Sequence, residues 1–273
     1  MQCRGASGRH EACQYDQNMT QDLFRQDAYL TECTATVTAI TPQGIVLDRT
    51  VFYPLGGGQA GDAGVLIRAD GSEIVITDTR KGKSEDGSFN DEITHLPPLD
   101  VLSQLLNQEQ PGAVRLAAGD TVTARIDWAR RHRLMRFHTA THLLCHLVPQ
   151  LVNGCSITPD YARLDFNMTD ALDKELLSAG IAQLVAGAHP VTVGDITDAE
   201  LDARPELVKS MSVQPPRGSG KVRMIRIGTE EMIDFQPCGG THVANTVEIG
   251  PAIVTKIEKK SASTRRVVLG FAP

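Results

Sequence analysis

Apolar and polar residues alternate through the first part of the chain and then change period. The stretch CTATVTAI, Cys33 to Ile40, alternates small apolar residues with threonines, the period-two pattern of a half-buried strand. A turn at Pro42-Gln43-Gly44 leads into GIVLDRTVFYP, and further strands are predicted at VLIRA, EIVITDTR and TVTARIDW. Short strands with turn residues between them predict a small β-barrel or meander. GKSEDGSFNDE reads as an exposed turn, and ITHLPPLDVLSQLLNQEQPG as a loop or short helix between strands.

The period becomes helical at WARRHRLMRFHTATHLLCHLV. Leu134, Phe137, Leu144 and Leu147, with Thr141 between them, form one apolar stripe, and Pro149 marks its end. GCSITPDYARLDFNM predicts a turn and a strand. TDALDKELLSAGIAQLVAGAH predicts a second helix capped by Thr169. HPVTVGDIT, KVRMIRIG, EMIDFQP, EIGPAIVTKIEKK and TRRVVLGF read as strands, the last two as a hairpin turning at KSAST, and DAELDARPELV as a short helix or turn. The expected fold is α+β: an N-terminal small β-barrel followed by a two-layer domain of helices on a mostly antiparallel sheet. The expected division is an extension at 1–18, a barrel domain at 19–128 and a second domain at 129–273. Residues 1–18 are polar and without period, and are expected to be a disordered extension, with Met19 as a plausible start.

Composition narrows the class. At 273 residues, 41% hydrophobic and 22% charged, the chain fits a soluble globular protein. No apolar run approaches the roughly 20 residues of a membrane helix, and the N-terminus lacks the apolar core of a signal peptide, so the expected location is cytoplasmic. A net charge of −6 excludes a globally basic nucleic-acid binder but leaves room for a local basic stripe. The six cysteines are scattered without a CxxC pair, which predicts reduced thiols in a cytosolic chain.

The candidate chemistry lies in FHTATHLLCH and PCGGTH. His138 and His142 are four apart on a predicted helix and share a face. Cys238 and His242 repeat that spacing, with Gly239 and Gly240 letting the chain fold back. One thiolate and three imidazoles are an accepted zinc ligand set, structural or catalytic. His142 and His146 offer an alternative register. A metalloprotease would need a glutamate after the first histidine, and Thr139 stands there. A nucleobase deaminase would need PCxxC, and only one cysteine is present. Asp234, just before the second motif, is placed to orient a ligand histidine from behind. In FYPLGGGQAGDAG, the run Gly56, Gly57, Gly58 and Gln59 allows a tight turn or close approach, and it matches no phosphate loop.

HTATHLL, CSITPDYARLDF and DFQPCGGTHVANTVEIGPAIVTKIEKKSASTRR resemble the editing domain of alanyl-tRNA synthetase, and FYPLGGGQAGDAG resembles the glycine-rich motif of the barrel that precedes it. With no aminoacylation domain, the match is to the free-standing AlaX-type editing proteins that carry the barrel. The resemblance implies a zinc-dependent hydrolase that deacylates mischarged tRNA(Ala), with serine or glycine as the wrong amino acid. It implies one zinc ion on His138, His142, Cys238 and His242, which also form the catalytic set. For substrate binding it points to Ser156, which aligns with the polar pocket residue of the family. Thr139, Thr141, Thr158 and Thr241 are further candidates to bind the serine hydroxyl, and Arg163 is expected to pair with Asp165 and shape the site. Arg125, Arg130, Arg131, Arg133 and Arg136, then Lys209, Arg217, Lys221, Arg223 and Arg226, then Lys256, Lys259, Lys260, Arg265 and Arg266 are candidates for phosphate contacts. The alternatives are a zinc-stabilised RNA-binding module without catalysis and a zinc hydrolase for another ester.

Overall fold

The computed structural model describes residues 19–84, 86–107, 114–215 and 220–272. The expected extension at 1–18 lies outside the described residues. No described helix is long and apolar enough to cross a membrane.

The N-terminal part begins with β1 (Gln21–Asp22) and α1 (Leu23–Gln26), followed by β2 (Glu32–Thr41), β3 (Gly44–Leu47), β4 (Arg49–Thr50), β5 (Gly64–Ile67), β6 (Glu73–Ile76), β7 (Asp78–Lys83), β8 (Phe89–Leu96), α2 (Leu99–Leu106) and β9 (Thr121–Ile126). Among the described residues, seven of these strands form one sheet in the order β6-β5-β9-β2-β3-β8-β7, curled into a half-barrel. Curvature comes from β2. Its first half pairs with β9, its second half with β3, and the register slips between Val37 and Ala39. A bulge there bends the strand so that one element serves both walls. Val37, Ile45, Leu47, Phe52, Leu66, Ile76, Val122 and Ala124 fill the concave side.

Two predicted elements differ here. EIVITDTR breaks at Thr77 into β6 and β7. The turn expected through GKSEDGSFNDE is shorter, because Phe89 to Glu92 already belong to β8, where Phe89 pairs with Lys83.

The second part comprises α3 (Trp128–Leu147), β10 (Val152–Ile157), β11 (Ala162–Asn167), α4 (Lys174–Ala186), β12 (Val191–Ile196), α5 (Asp198–Asp202), β13 (Val222–Ile227), β14 (Asp234–Pro237), β15 (Ala252–Ser261) and β16 (Thr264–Phe271). β10-β11-β16-β15 and β12-β13-β14 form two antiparallel sheets. Helices α3 and α4 pack with the first of them around one core of Leu134, Phe137, Leu144, Leu164, Phe166, Ile181, Val254 and Leu269. This is the expected α+β class. The α4 cap is Asp173, whose side chain accepts from the Leu176 amide at 2.8 Å; Thr169 lies one turn too early. EIG is a 3-10 turn over Thr246–Ile249, and the strand starts only at Ala252.

Helix α3 is buried on two sides. Its apolar stripe meets the sheet, while Arg131, His138 and His142, on the other side, are 0%, 4% and 5% exposed. Spacings of seven and four put these three on one line. That line faces the glycine-rich loop and the Cys238–His242 turn.

Candidate metal centre

The ligand atoms of His138, His142, Cys238 and His242 all lie within 4.8 Å of one another. The thiol sulfur of Cys238 is 3.3 Å from Nε2 of His138 and 3.3 Å from Nε2 of His242. The two halves come from elements of different kinds. The histidines of α3 are held by a helix packed on both flanks, and Cys238 and His242 by a turn leaving β14. His146, the alternative in the register, is exposed.

Each imidazole is gripped from behind. Nδ1 of His138 donates to Oε1 of Gln59 at 2.7 Å, and Nδ1 of His142 to Oδ2 of Asp234 at 2.7 Å. The Thr139 hydroxyl donates to the Met135 carbonyl at 3.0 Å, so its oxygen accepts from Nδ1 of His242 at 3.2 Å. These acceptors fix the Nδ1–H tautomer on all three rings and leave the Nε2 lone pairs for the centre.

Gln59 is fully buried and its side chain makes three hydrogen bonds. Its carbonyl also accepts from the Thr241 amide at 3.1 Å, and its amide donates to the Thr241 hydroxyl at 2.9 Å. It reaches the site because the glycine-rich loop lies against β10. The Ile157 amide donates to the Gly58 carbonyl at 2.7 Å, and the Ala60 amide to the Ile157 carbonyl at 2.9 Å. Gly58 has φ +85°, and a Cβ there would stand 2.9 Å from the Cys155 sulfur. Gly240 is constrained in a different way: a Cβ would sit 2.1 Å from Cε1 of His138. Only glycine lets this turn approach the helix so closely.

Asp234 is fully buried and carries three partners: His142, the Lys209 ammonium, and the Gln236 amide at 2.8 Å. Burial opposes its ionisation, but the hydrogen bond and charge of His142 and the charge of Lys209 hold the carboxyl below its ordinary range. Burial likewise would lower His142, yet its hydrogen bonds to Asp234 and Cys238 raise it to about 9. His242 is driven to about 3 by burial and by His138. Burial would raise the Cys238 thiol, but the charges and hydrogen bonds of the surrounding histidines bring it well below its usual value. A buried thiolate and a buried carboxylate behind one of the three imidazoles make a cavity that favours positive charge at its centre. The donor set suits a tetrahedral metal ion.

The loop and the helix are locked together. The Arg131 guanidinium donates to Asp62 through Nε at 3.0 and 2.9 Å and also through Nη2. It reaches the Ala28 carbonyl at 3.0 Å and the Val51 carbonyl at 2.6 Å, and Asp62 further accepts the Tyr53 amide at 2.6 Å. Both side chains of the pair are 0% exposed.

The proposed substrate contacts fare unevenly. Thr139 and Thr241 are 0% and 1% exposed, and their hydroxyls are used in holding His242 and Gln59. Thr141 donates to the His138 carbonyl at 2.7 Å. These are positioning contacts. Ser156 stands across the ladder from Arg163. Side chains alternate along a strand, so both take the sheet face opposite the core-facing Ile157, Ala162 and Leu164. Arg163 does meet Asp165, at 3.3 Å, but the stronger partner of Asp165 is Arg266, at 2.7 and 2.8 Å. Thr158 closes its own turn on Tyr161.

Much of the expected basic stripe is engaged within the protein. Arg131 pairs with Asp62, Arg125 with Glu73, Lys209 with Asp234, Lys256 with Glu258 and Arg266 with Asp165. Arg130, Arg223, Arg226 and Arg265 donate to main-chain carbonyls. Arg217 lies outside the described residues. The contributions of Gln59, Arg131–Asp62 and Lys209 to the site were not evident from motif spacing. Arg131 carried a signal, one heptad before His138 on the same helical face. Lys209 carried none.

A family model described as "Threonyl and Alanyl tRNA synthetase second additional domain" matches residues 222–268, the stretch holding Cys238 and His242. One described as "tRNA synthetases class II (A)" matches residues 3–91. The chain is 33% identical over 258 residues to a Methanosarcina mazei protein named "Alanyl-tRNA editing protein AlaX-M", covering 91% of this chain and 95% of that one. It is 32% identical over 266 residues to a Saccharolobus solfataricus protein of the same name, covering 93% and 100%. An "Alanine--tRNA ligase" of Metallosphaera sedula is 32% identical over 249 residues, which cover 88% of this chain and 25% of that protein.

Proposed function

The chain belongs to the AlaX-M family of alanyl-tRNA editing proteins, and on that premise we propose that it hydrolyses mischarged tRNA(Ala), cleaving the ester between the terminal ribose and a wrong amino acid, serine or glycine. Residues 129–273 are the editing domain on this reading, and 19–128 a barrel domain that completes the site from outside. The observation that supports it most is the triple grip at Nδ1. Three imidazoles are held in one tautomer, with their free nitrogens turned on a buried thiolate. A binding module without catalysis has less need of that arrangement, and the relatives' names speak of editing.

His138, His142, Cys238 and His242 would hold a single zinc ion. When bound, zinc supplies Lewis acidity for ester hydrolysis near neutral pH. The chain's own residues supply the positioning. Gln59, Asp234 and Thr139 fix the three rings, so the ligand geometry does not have to reorganise when substrate arrives. Arg131 and Asp62 hold the start of α3 against the glycine-rich loop. Arg223 donates to the carbonyls of Cys238 and Gly240, at 2.5 and 3.1 Å, and pins the turn that presents the thiolate.

Discrimination against correctly charged tRNA requires a group that prefers the serine hydroxyl. A site that hydrogen-bonds such a hydroxyl can reject its absence strongly. Incubating the zinc-loaded protein with Ser-tRNA(Ala), Gly-tRNA(Ala) and Ala-tRNA(Ala) tests the reading. Release of serine or glycine with alanine spared is expected, and no release from any of the three would overturn it.

A further inference from the structure

Two arginines of the expected basic stripe share one aromatic ring. Arg133 and Arg136 are half-buried on α3, and among the described residues neither has a carboxylate partner. Among the described residues each donates a hydrogen bond through Nε: Arg133 to the Pro159 carbonyl, and Arg136 to the Ile249 carbonyl at 2.8 Å. Both guanidinium groups lie against the same ring, with the Arg136 carbon 4.0 Å and the Arg133 carbon 4.9 Å from the centre of Phe271. That ring is itself fixed by stacking on Phe137 at 4.2 Å.

Two like charges held on one ring repel each other. Some neighbouring arginines are neutralised, as Arg131 is by Asp62 and Arg125 by Glu73, while Arg130 donates to the Gly61 carbonyl. These two are anchored at Nε by neutral carbonyls, with the terminal nitrogens left over. Their planar forks are preorganised by aromatic packing, a geometry that matches phosphate oxygens two at a time. The position is also suggestive. Arg136 precedes His138 by two residues, and Gly250 packs against the Arg136 guanidinium in the turn that follows the His242 motif. The pair and the metal cluster occupy different flanks of one helix, whose width with side chains is about 10–12 Å. A nucleic-acid strand passing one flank could place its end at the other within a few nucleotides.

We propose that Arg133 and Arg136, clamped on Phe271, grip backbone phosphates of the acceptor arm of the tRNA. This inference rests on the editing reading for the identity of the RNA. The pair contributes binding, not bond cleavage.

The test is binding of uncharged tRNA(Ala) by the full chain at several salt concentrations, comparing the wild type with the double variant Arg133→Gln/Arg136→Gln. Losing two phosphate contacts should reduce the slope of log affinity against log salt by about 1.4–1.8, and weaken binding roughly tenfold or more at moderate salt. The double Arg→Lys variant, which keeps the charge but not the fork, should fall between. A phosphate-free substrate, seryl-adenosine, should be hydrolysed equally by wild type and Gln variant. Unchanged tRNA affinity and salt slope would overturn the proposal. So would equal losses on seryl-adenosine and tRNA, which would make the pair structural. Because uncharged tRNA is read without hydrolysis, a wild type that binds tRNA yet releases no amino acid would count against the editing reading and not against this one.

Discussion

The side-chain carbonyl of Gln59 accepts the Nδ1 proton of His138 at 2.7 Å, joining the half-barrel's loop to the metal cluster across 79 positions of sequence. Gln59→Ala removes that acceptor, and it leaves both Nδ1 of His138 and the Thr241 amide without their partner. Loss of such a contact behind a metal ligand typically costs about 10–100-fold in metal affinity. Competition with a chromophoric chelator should show a loss of that order at Gln59→Ala, with the melting temperature of the metal-free chain changed much less.

The Arg131–Asp62 pair makes a different prediction. Both side chains are fully buried, and Asp62 also receives the Tyr53 amide. Removing one member strands a buried charge, at a cost of roughly 3–5 kcal/mol. Arg131→Met should therefore lower stability in urea by about that amount. The double replacement Arg131→Met/Asp62→Leu should recover part of the loss, because the stranded charge is gone.

Gly240→Ala would place a methyl group 2.1 Å from Cε1 of His138. The ring must move or the Cys238–His242 turn must open, and either change separates the ligands. Metal content after dialysis should fall well below one equivalent. Gly71→Ala, at a turn glycine with φ +82° and open space around it, serves as the control: some strain, no effect on metal.

His95 gives a pH dependence remote from the site. It is fully buried in the half-barrel, with Nδ1 donating to the Ile45 carbonyl at 3.0 Å and Nε2 accepting from the Thr50 hydroxyl at 2.7 Å. Burial lowers its pKa from 6.5 to about 4. Between those values the unfolded chain takes up a proton that the folded chain refuses, so stability falls as pH drops from 6.5 towards 4 and is fully present above 6.5. The loss is on the order of 3 kcal/mol. Replacing His95 by Gln should flatten the stability profile across that window. An unchanged profile would mean that other groups set it.

The fold class was legible because alternation and helical periodicity are local. β2, β9, α3, α4 and the β15–β16 hairpin follow directly from their residue patterns. Boundaries were less legible where a single residue decides them, as at Thr77 between β6 and β7 or Asp173 at the start of α4. The four candidate ligands were visible because each pair has helical or turn spacing, and two glycines explain the close approach. Of the contacts behind them, Asp234 was visible from its place just before the second motif, and it holds Nδ1 of His142; the others were not. Gln59 and Lys209 reach the site from segments distant in sequence, and no periodicity relates them to it. The basic stripe was less legible for a related reason. A count of arginines cannot distinguish Arg131, fully buried on Asp62, from Arg133 and Arg136, which have no carboxylate partner among the described residues.

The central claim is that one metal ion on His138, His142, Cys238 and His242 is required to release serine from tRNA(Ala). The most direct measurement is to strip the protein of metal, return zinc in steps, and follow both bound metal and hydrolysis of Ser-tRNA(Ala). Hydrolysis rising with zinc to a plateau at one equivalent, and absent at every step in His142→Ala, is the predicted result. Full hydrolysis by the metal-free chain, or a chain loaded with one equivalent that leaves Ser-tRNA(Ala) intact, would contradict it.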